Sequence, residues 1–416
     1  MHMNPKEESV RYCDRLGKVN LGRLPVLAAF RPENLSSAAG KVEISFRRSE
    51  ANMTVDESLA RFDRHLVTVS TEPAVTAAPP AFGTVFTDHM VTVRYHEQKG
   101  WHDARVEPFG PIPMSPAAAV LHYGQEIFEG LKAYRSADGD CLLFRPEAHA
   151  RRFQESARRL SMPVVPAGLF LRAIAELLEV DRGWLPGGVE TSLYLRPYLV
   201  ATEAFLGVRP AREYLFAVIA TPVGPVSPGS KPLTVWASET YSRAGAGGTG
   251  AAKCGGNYAG AHLAQAEAAR AGCDQVVFLD SGHHQFVEEM AGMNLFFGYE
   301  GHLVTPTLTG TILPGVTRDS IIWLARDAGL DVVERPIALA EWQADAASGK
   351  LREVFACGTA ATVAQIGMLR TAAGDFPVTA PGPMGAALRG RLLGIQYGRL
   401  PDPCGWTRRI GQLAAT

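Results

Sequence analysis

The chain has 416 residues, 46% of them hydrophobic and 20% charged, enough to bury more than one core and to form roughly two to three domains. Its 41 Lys and Arg nearly cancel its 42 Asp and Glu. That balance excludes a broad basic field for a nucleic-acid backbone or an anionic membrane, so small molecules are the expected partners. The longest apolar runs, such as 215–221 and 275–279, fall far short of a bilayer, and the opening MHMNPKEESVRYCDR lacks the apolar core of a signal peptide. A cytoplasmic location is therefore expected. Six cysteines stand apart without C-x-x-C spacing, which argues for reduced thiols over a zinc site or a disulfide framework.

In chain order, residues 1–80 are rich in charge, carry one alternating run (Val42, Ile44, Phe46) and end in a Pro/Ala/Thr-rich stretch, so they are expected to form an extension and linker. From 81 to 222, short strand-like runs alternate with helical ones, for example Cys141 to Phe144 followed by a helix from Pro146 to Leu160. A connector at 223–232 follows, in a stretch from Thr221 to Pro232 with four prolines and two glycines. Beyond it, from 233 to 416, strands at Leu233–Trp236, Gln275–Leu279 and Val354–Ala356 alternate with helices at Tyr258–Ala271 and Thr317–Ala328. This order predicts an α/β or α+β class.

Three segments point to chemistry. In residues 247–259, GGTGAAKCGGNYA, five glycines flank the single lysine Lys253. Glycine permits positive φ and close backbone approach, so this loop can present an amine to a bound molecule. It is not a phosphate loop of the Walker kind, because Lys253 lies between Ala252 and Cys254 where that pattern needs Gly before Lys and Ser or Thr after it. A glycine-rich turn carrying an incidental lysine fits this segment equally well. The helix expected after Leu313-Pro-Gly-Val-Thr-Arg318 has an apolar face of Ile321, Leu324, Ala325 and Ala328, with Gly329 placed to end it. Its free N-terminal amides and the Thr317 hydroxyl suit either a phosphate dianion or a plain N-cap. Ala356-Cys-Gly-Thr-Ala360 is a second turn compatible with an anion.

Together and in this order, these stretches resemble the fold type IV aminotransferases, and within them the branched-chain amino-acid aminotransferases. The resemblance runs from about Thr87 to Trp406 and includes Thr87-Asp-His-Met90, Leu121-His-Tyr123, Phe128-Glu-Gly-Leu-Lys-Ala-Tyr134, Leu193-Tyr-Leu-Arg-Pro197, Tyr241-Ser-Arg-Ala244, Glu288-Glu-Met-Ala-Gly-Met-Asn-Leu-Phe296 and Phe355-Ala-Cys-Gly-Thr-Ala360. It implies a two-domain enzyme with a smaller N-terminal α/β domain, a larger C-terminal domain and pyridoxal 5'-phosphate (PLP) at their interface. It also implies a homodimer, with no nucleic-acid or membrane partner.

Residue by residue, the resemblance makes Lys253 the Schiff-base lysine, Glu289 the partner of the pyridine nitrogen with Glu288 as the competing alignment, and Tyr258 the partner of the ring phenolate. It makes Arg152, Gly315, Val316, Thr317 and Thr359 phosphate-binding residues. It assigns Tyr123, Phe128, Tyr194, Arg243, Thr359 and Ala360 to the substrate pocket. The implied reaction is ping-pong transamination through a Lys253 aldimine, between L-Leu, L-Ile or L-Val and 2-oxoglutarate, giving the 2-oxo acid and L-glutamate. The same residues are compatible with a specialised amino-acid aminotransferase of secondary metabolism, a D-amino-acid aminotransferase or an aminodeoxychorismate-type lyase. The chain departs from the family's pattern twice. Gly358-Thr-Ala-Ala-Thr-Val-Ala364 lacks the C-x-x-C of eukaryotic members, so no thiol switch is expected there. Gly245-Ala246 stands where relatives often carry a bulky aromatic, which puts the substrate range in question.

Overall fold

Runs of β-branched and aromatic residues, broken by turn residues, direct most of the chain into strands, and a computed structural model describes residues 61–67, 82–224 and 231–413. The alternating run at 42–46 lies outside the described residues, as do 225–230 of the connector. The described strands form two sheets of nine strands each. In the first, the order is Asp63–Arg64, Gly100–Pro108, His89–His96, Glu213–Val223, Ser192–Ala201, Leu131–Arg135, Cys141–Phe144 and Thr407–Arg409, with Glu126–Phe128 also paired to Ser192–Ala201. All its pairings are antiparallel except that of Asp63–Arg64, so this part is α+β in character. Helices Pro146–Arg159 and Ala167–Val180 cover one face, meeting the sheet through Phe153, Phe170 and Phe216.

The second sheet runs Val287–Met290, Gln275–Leu279, Leu233–Ser238, Thr362–Thr371, Glu353–Gly358, Asn294–Tyr299, His302–Thr305 and Asp331–Glu334, with Gly374–Pro377 paired to Thr362–Thr371. Val287–Met290 also pairs with Asn294–Tyr299, so the first six strands of this path close into a ring. The residues that meet at the seam are Glu289 and Asn294. The ring is filled by Val235, Val277, Leu279, Leu295, Phe297, Val354 and Ile366, with Trp342 edge-on to Phe297 at 4.9 Å. Because successive strand side chains alternate, Phe296 faces outward from this core and stacks on Phe355 at 5.2 Å. That second core also takes in Tyr134 and Phe144 of the first sheet, which joins the two sheets through shared apolar packing.

Several expectations change in register or extent. The predicted helix at 258–271 is two helices, Gly255–Ala259 and His262–Arg270. The strand Glu213–Val223 runs into the stretch read as connector. Residues 61–67, expected in the extension, pack on the first sheet. Phe62 is buried there, Asp63–Arg64 pairs with Gly100–Pro108, and Arg64 reaches Glu176 at 2.6 Å. The C-terminal strand Thr407–Arg409 returns to the first sheet beside Cys141–Phe144, so 233–416 does not stay with one sheet. The helix Val316–Asp327 forms as expected, and Gly329 follows it at φ +80°.

Candidate active site

The glycine-rich loop is built for contact with protein. Gly247 takes a positive φ, and Gly250 lies so close to Thr311 that a Cβ would sit 2.2 Å from the Thr311 carbonyl oxygen. A Cβ at Gly255 would likewise strike the carboxylate of Glu126, which accepts the Gly255 N–H. These approaches correct the expectation that the glycines serve a ligand directly. They seat the loop, and the seating aims Lys253 into a cleft of about 210 Å³ between the sheets. The lysine backbone is fixed at both ends, its N–H donating to Ser156 Oγ at 2.9 Å and its carbonyl accepting from Phe128 N at 2.9 Å.

In the cleft, Lys253 Nζ donates to the Tyr258 hydroxyl at 2.9 Å and stands 5.0 Å from the centre of the Phe128 ring. Burial, reinforced by the neighbouring Arg152 guanidinium, lowers the lysine to about 8. Burial raises the Tyr258 phenol to about 12, so it stays protonated at neutral pH. Tyr194 and Arg196 complete the wall, Arg196 lying 4.7 Å over Phe128 and donating to the Tyr194 hydroxyl at 3.3 Å. Among the described residues the Arg196 Nε has no hydrogen-bond partner.

The seam of the second sheet supplies an acid. Glu289 points into the cleft while Glu288, its neighbour on the strand, points to the opposite side, so of the two competing alignments the geometry favours Glu289. The Glu289 carboxylate is almost fully buried, accepts from Leu313 N at 2.9 Å and Asn294 Nδ2 at 3.2 Å, and meets Arg243 Nη1 at 2.7 Å. Burial outweighs the pull of Arg243 and raises this carboxyl to about 7. A further cationic group in the cleft would favour its ionised form.

At the other end, Gly315, Val316 and Thr317 form the head of the helix Val316–Asp327 and line the cleft, as do Thr359 and Ala360 of the hairpin turn after Glu353–Gly358. Arg152 lies beside them and is held rigidly. Its Nε and Nη2 donate to Glu129 at 2.6 and 2.8 Å, and its Nη1 donates to Pro314 O at 3.2 Å. Three of its five N–H groups are thereby used and two remain for an anion. Glu129 is fully buried and also accepts from His149 Nδ1 at 2.9 Å and Gly130 N at 3.0 Å. Burial opposes its ionisation, but Arg152 and His149 hold it well below the usual carboxylate range.

The cleft thus gathers Lys253, Arg152, Tyr258, Glu289, Gly315, Val316, Thr317, Phe128, Tyr194, Thr359 and Ala360. Two expected substrate contacts lie elsewhere. Arg243 is buried under Glu289, where it also donates to the carbonyls of Thr311 and Gly250 at 3.1 and 3.3 Å. Its Nη1 meets the carboxylate and the loop carbonyls while its buried Nε has no hydrogen-bond partner among the described residues, and it lies outside the cleft lining, so in this chain it supports Glu289. Tyr123 is exposed and donates to the Leu206 carbonyl, outside the cleft. The motifs did not single out Arg196, Asn294, Glu129, His149 or Lys132. Lys132 is buried and donates to Ala360 O at 2.7 Å, fixing the hairpin turn from behind. Glu129, Lys132 and Arg196 lie inside quoted motifs, but nothing in their spacing distinguishes them from ordinary surface charges.

Comparison with known proteins places the chain among its relatives. Residues 126–368 match the family described as amino-transferase class IV. The branched-chain-amino-acid aminotransferase of Mycolicibacterium smegmatis is 52% identical over 358 residues, covering 83% of this chain and 97% of that relative. The branched-chain amino acid aminotransferase of T.th. has been solved with N-(5'-phosphopyridoxyl)-L-glutamate (29% identity, TM-score 0.64) and with 4-methylvaleric acid (30%, 0.62), each match covering 76% of this chain and 98% of that one. The chain belongs to the class IV aminotransferases, in their branched-chain-amino-acid aminotransferase group.

Enzymes of this family use PLP, and the donor set here fits that molecule. An amine suits its aldehyde, a phenol its ring oxygen, a buried carboxylate its basic ring nitrogen, and a helix head with a guanidinium its phosphate. Two outcomes follow from the geometry. Lys253 must be neutral to attack an aldehyde, so the rate at which PLP-free protein takes up PLP should rise with pH to a midpoint near 8, well below the usual lysine value of 10.5; stopped-flow absorbance measures it. Arg243→Met leaves Glu289 without its cation, so the carboxyl, already raised to about 7, takes up a proton more readily. Stability in urea denaturation should then fall by about 1–3 kcal/mol, more at pH 8 than at pH 6. A rise in KM with stability intact would instead make Arg243 a substrate contact.

Proposed function

We propose that the protein transfers the amino group of L-Leu, L-Ile or L-Val to 2-oxoglutarate, giving the branched 2-oxo acid and L-glutamate, with Lys253 as the proton carrier. One observation supports this above the others: Lys253 Nζ, 2.9 Å from the Tyr258 hydroxyl, stands in a cleft with Glu289 at one end and a helix head with Arg152 at the other. When bound, PLP supplies an aldehyde that takes up an amino group and an electron-poor ring that delocalises the charge left as the α-proton departs.

The chain's residues do the rest. Lys253 Nζ, lowered to about 8, can accept a proton near neutral pH and return it. Tyr258, protonated, orients the amine through its hydroxyl. Glu289, backed by Arg243, Leu313 N and Asn294, would hold a protonated ring nitrogen by charge. Arg152 and the amides of Val316 and Thr317 would hold the phosphate, and the Thr359–Ala360 turn either the phosphate or the substrate carboxylate. Phe128 and Tyr194 offer an apolar wall to an aliphatic side chain, and Arg196 faces the same space as a cation for the second carboxylate of 2-oxoglutarate. The T.th. complexes with a glutamate adduct and a branched aliphatic acid support both substrate classes.

A steady-state panel of L-amino acids with 2-oxoglutarate should show Leu, Ile and Val as the best donors, and Lys253→Ala should lower the rate by at least about 10²–10⁴-fold. Preference for D-Ala, or full activity in Lys253→Ala, would falsify this reading.

We also place the protein in the cytoplasm as a homodimer. Among the described residues the five cysteines are all free and four are buried, in keeping with a reducing compartment. Leu121, Tyr123, Leu206 and Val208 are exposed apolar residues on two segments tied together by the Tyr123 to Leu206 hydrogen bond, a surface suited to a second copy of the chain. Sedimentation equilibrium should give twice the chain mass for the native protein and a shift toward one chain for Leu121→Asp/Val208→Asp.

A further inference from the structure

Lys132 is a buried cation without an anion of its own. It lies on the strand Leu131–Arg135 of the first sheet and is only 7% exposed, yet among the described residues no carboxylate pairs with it. Its Nζ donates to the Ala360 carbonyl at 2.7 Å, and the other two N–H groups of the ammonium have no acceptor among those residues. The ionisable side chains that bear on it are Arg389 and Glu190. These are committed to each other, Nη1 to Oε1 at 2.9 Å and Nη2 to Oε2 at 2.5 Å. Burial and the Arg389 guanidinium lower the amine to about 8 against the pull of Glu190, so it stays largely protonated at neutral pH. A neutral donor would tie the same carbonyl without the cost of burying a charge.

What the charge adds is a field, and the fold directs it at the cleft. The Ala360 carbonyl belongs to the turn 359–361 that joins Glu353–Gly358 to Thr362–Thr371, and Thr359 and Ala360 line the cleft. The turn closes at Thr362 with φ +62°, a left-handed conformation that a β-branched residue adopts only when its surroundings impose it. Lys132 contacts this held turn directly, so its charge acts on any anion the turn binds. The cations that line the cleft leave one anion unanswered. Arg152 stands beside the helix head at the phosphate end, and Arg196 faces the space for the second carboxylate of 2-oxoglutarate. The carboxylate next to the reacting carbon, common to every substrate, has no cation on its own side of the turn.

We propose that Lys132 is a positioning residue for this α-carboxylate, setting the Thr359–Ala360 turn and supplying from behind it the positive charge that the carboxylate meets. The inference rests on the reading of the cleft as a transaminase site. At an effective dielectric of about 20, two unit charges about 8 Å apart attract strongly enough to change a binding constant roughly thirtyfold, so the loss of such a charge is measurable.

The test is absorbance titration of the PLP-loaded protein with 4-methylvalerate, a branched carboxylate with no amine, and with 4-methylvaleramide, its uncharged counterpart. Lys132→Gln keeps an N–H donor for the Ala360 carbonyl but removes the charge. It should bind the acid at least about tenfold more weakly and the amide within about twofold of the unmodified protein. KM for L-Leu and for 2-oxoglutarate should rise together with kcat little changed, and Lys132→Arg should recover affinity for the acid. If Lys132→Gln does not fold, Lys132→Met against Lys132→Arg makes the same comparison. Undiminished affinity for the acid in the uncharged variant, equal loss for acid and amide, or a loss confined to PLP retention would each overturn the inference. Failure of the transaminase reading looks different, because the unmodified protein would then not turn over L-Leu at all.

Discussion

The buried carboxylate of Glu289 is the constraint around which this protein is organised. It sits where the second sheet closes on itself, opposite Asn294, so one residue completes the ring of strands and supplies the acid at the floor of the cleft. A carboxylate so far from water must be surrounded by donors. Arg243, Asn294 and Leu313 N provide them, and each comes from a different segment. Arg243 draws in the glycine-rich loop through Gly250 and Thr311, Asn294 is the facing strand, and Leu313 leads into the helix whose head faces the cleft. Satisfying one charge therefore brings together the lysine loop and the anion-binding helix.

The opposite end of the cleft repeats this logic with the signs reversed. Arg152 would be free to swing if it stood alone on its helix. Glu129 prevents that with two hydrogen bonds, and Glu129 is itself held ionised by Arg152 and His149 despite complete burial. The guanidinium keeps two N–H groups for a ligand and loses rotational freedom, which lowers the entropic cost of binding an anion. Lys132 does similar work for the hairpin turn, tying the Ala360 carbonyl from within the first sheet.

Lys253 depends on both ends. Its amine is lowered to about 8 by burial and by the positive field of Arg152, while Glu129 and Tyr194 pull the other way. An amine poised there exchanges protons readily near neutral pH, which an exposed lysine would not do. Tyr258 is in turn raised by burial to about 12 and remains a donor and acceptor beside it. The reactivity of the lysine is thus a property of its surroundings, set in part by groups about 100 residues away in the chain.

Much of this is legible in the order of the residues. Strands at Cys141–Phe144 and Gln275–Leu279 and the helix after Gly315 follow from period and turn signals alone, because they depend on local preference and one buried face. Lys253 and the helix head stand out by their glycine-rich and N-terminal settings, whereas Tyr258, Glu289 and Arg152 are singled out only by the family resemblance that the ordered motifs carry. Local sequence does not say that Thr407–Arg409 returns to the first sheet, that the ring closes at Glu289 and Asn294, or that residues 61–67 belong to the packed fold. Strand pairing is a long-range choice, made by which edge is left open. Nor does it say that Arg243 spends its charge on Glu289, that Glu129 and His149 brace Arg152, or that Lys132 ties the turn at Ala360. Sequence alone determined which chemical groups the protein carries and in what order. Only the tertiary structure decided which charges neutralise one another and which stay free to act, because a charge's role depends on the partner that burial brings to it.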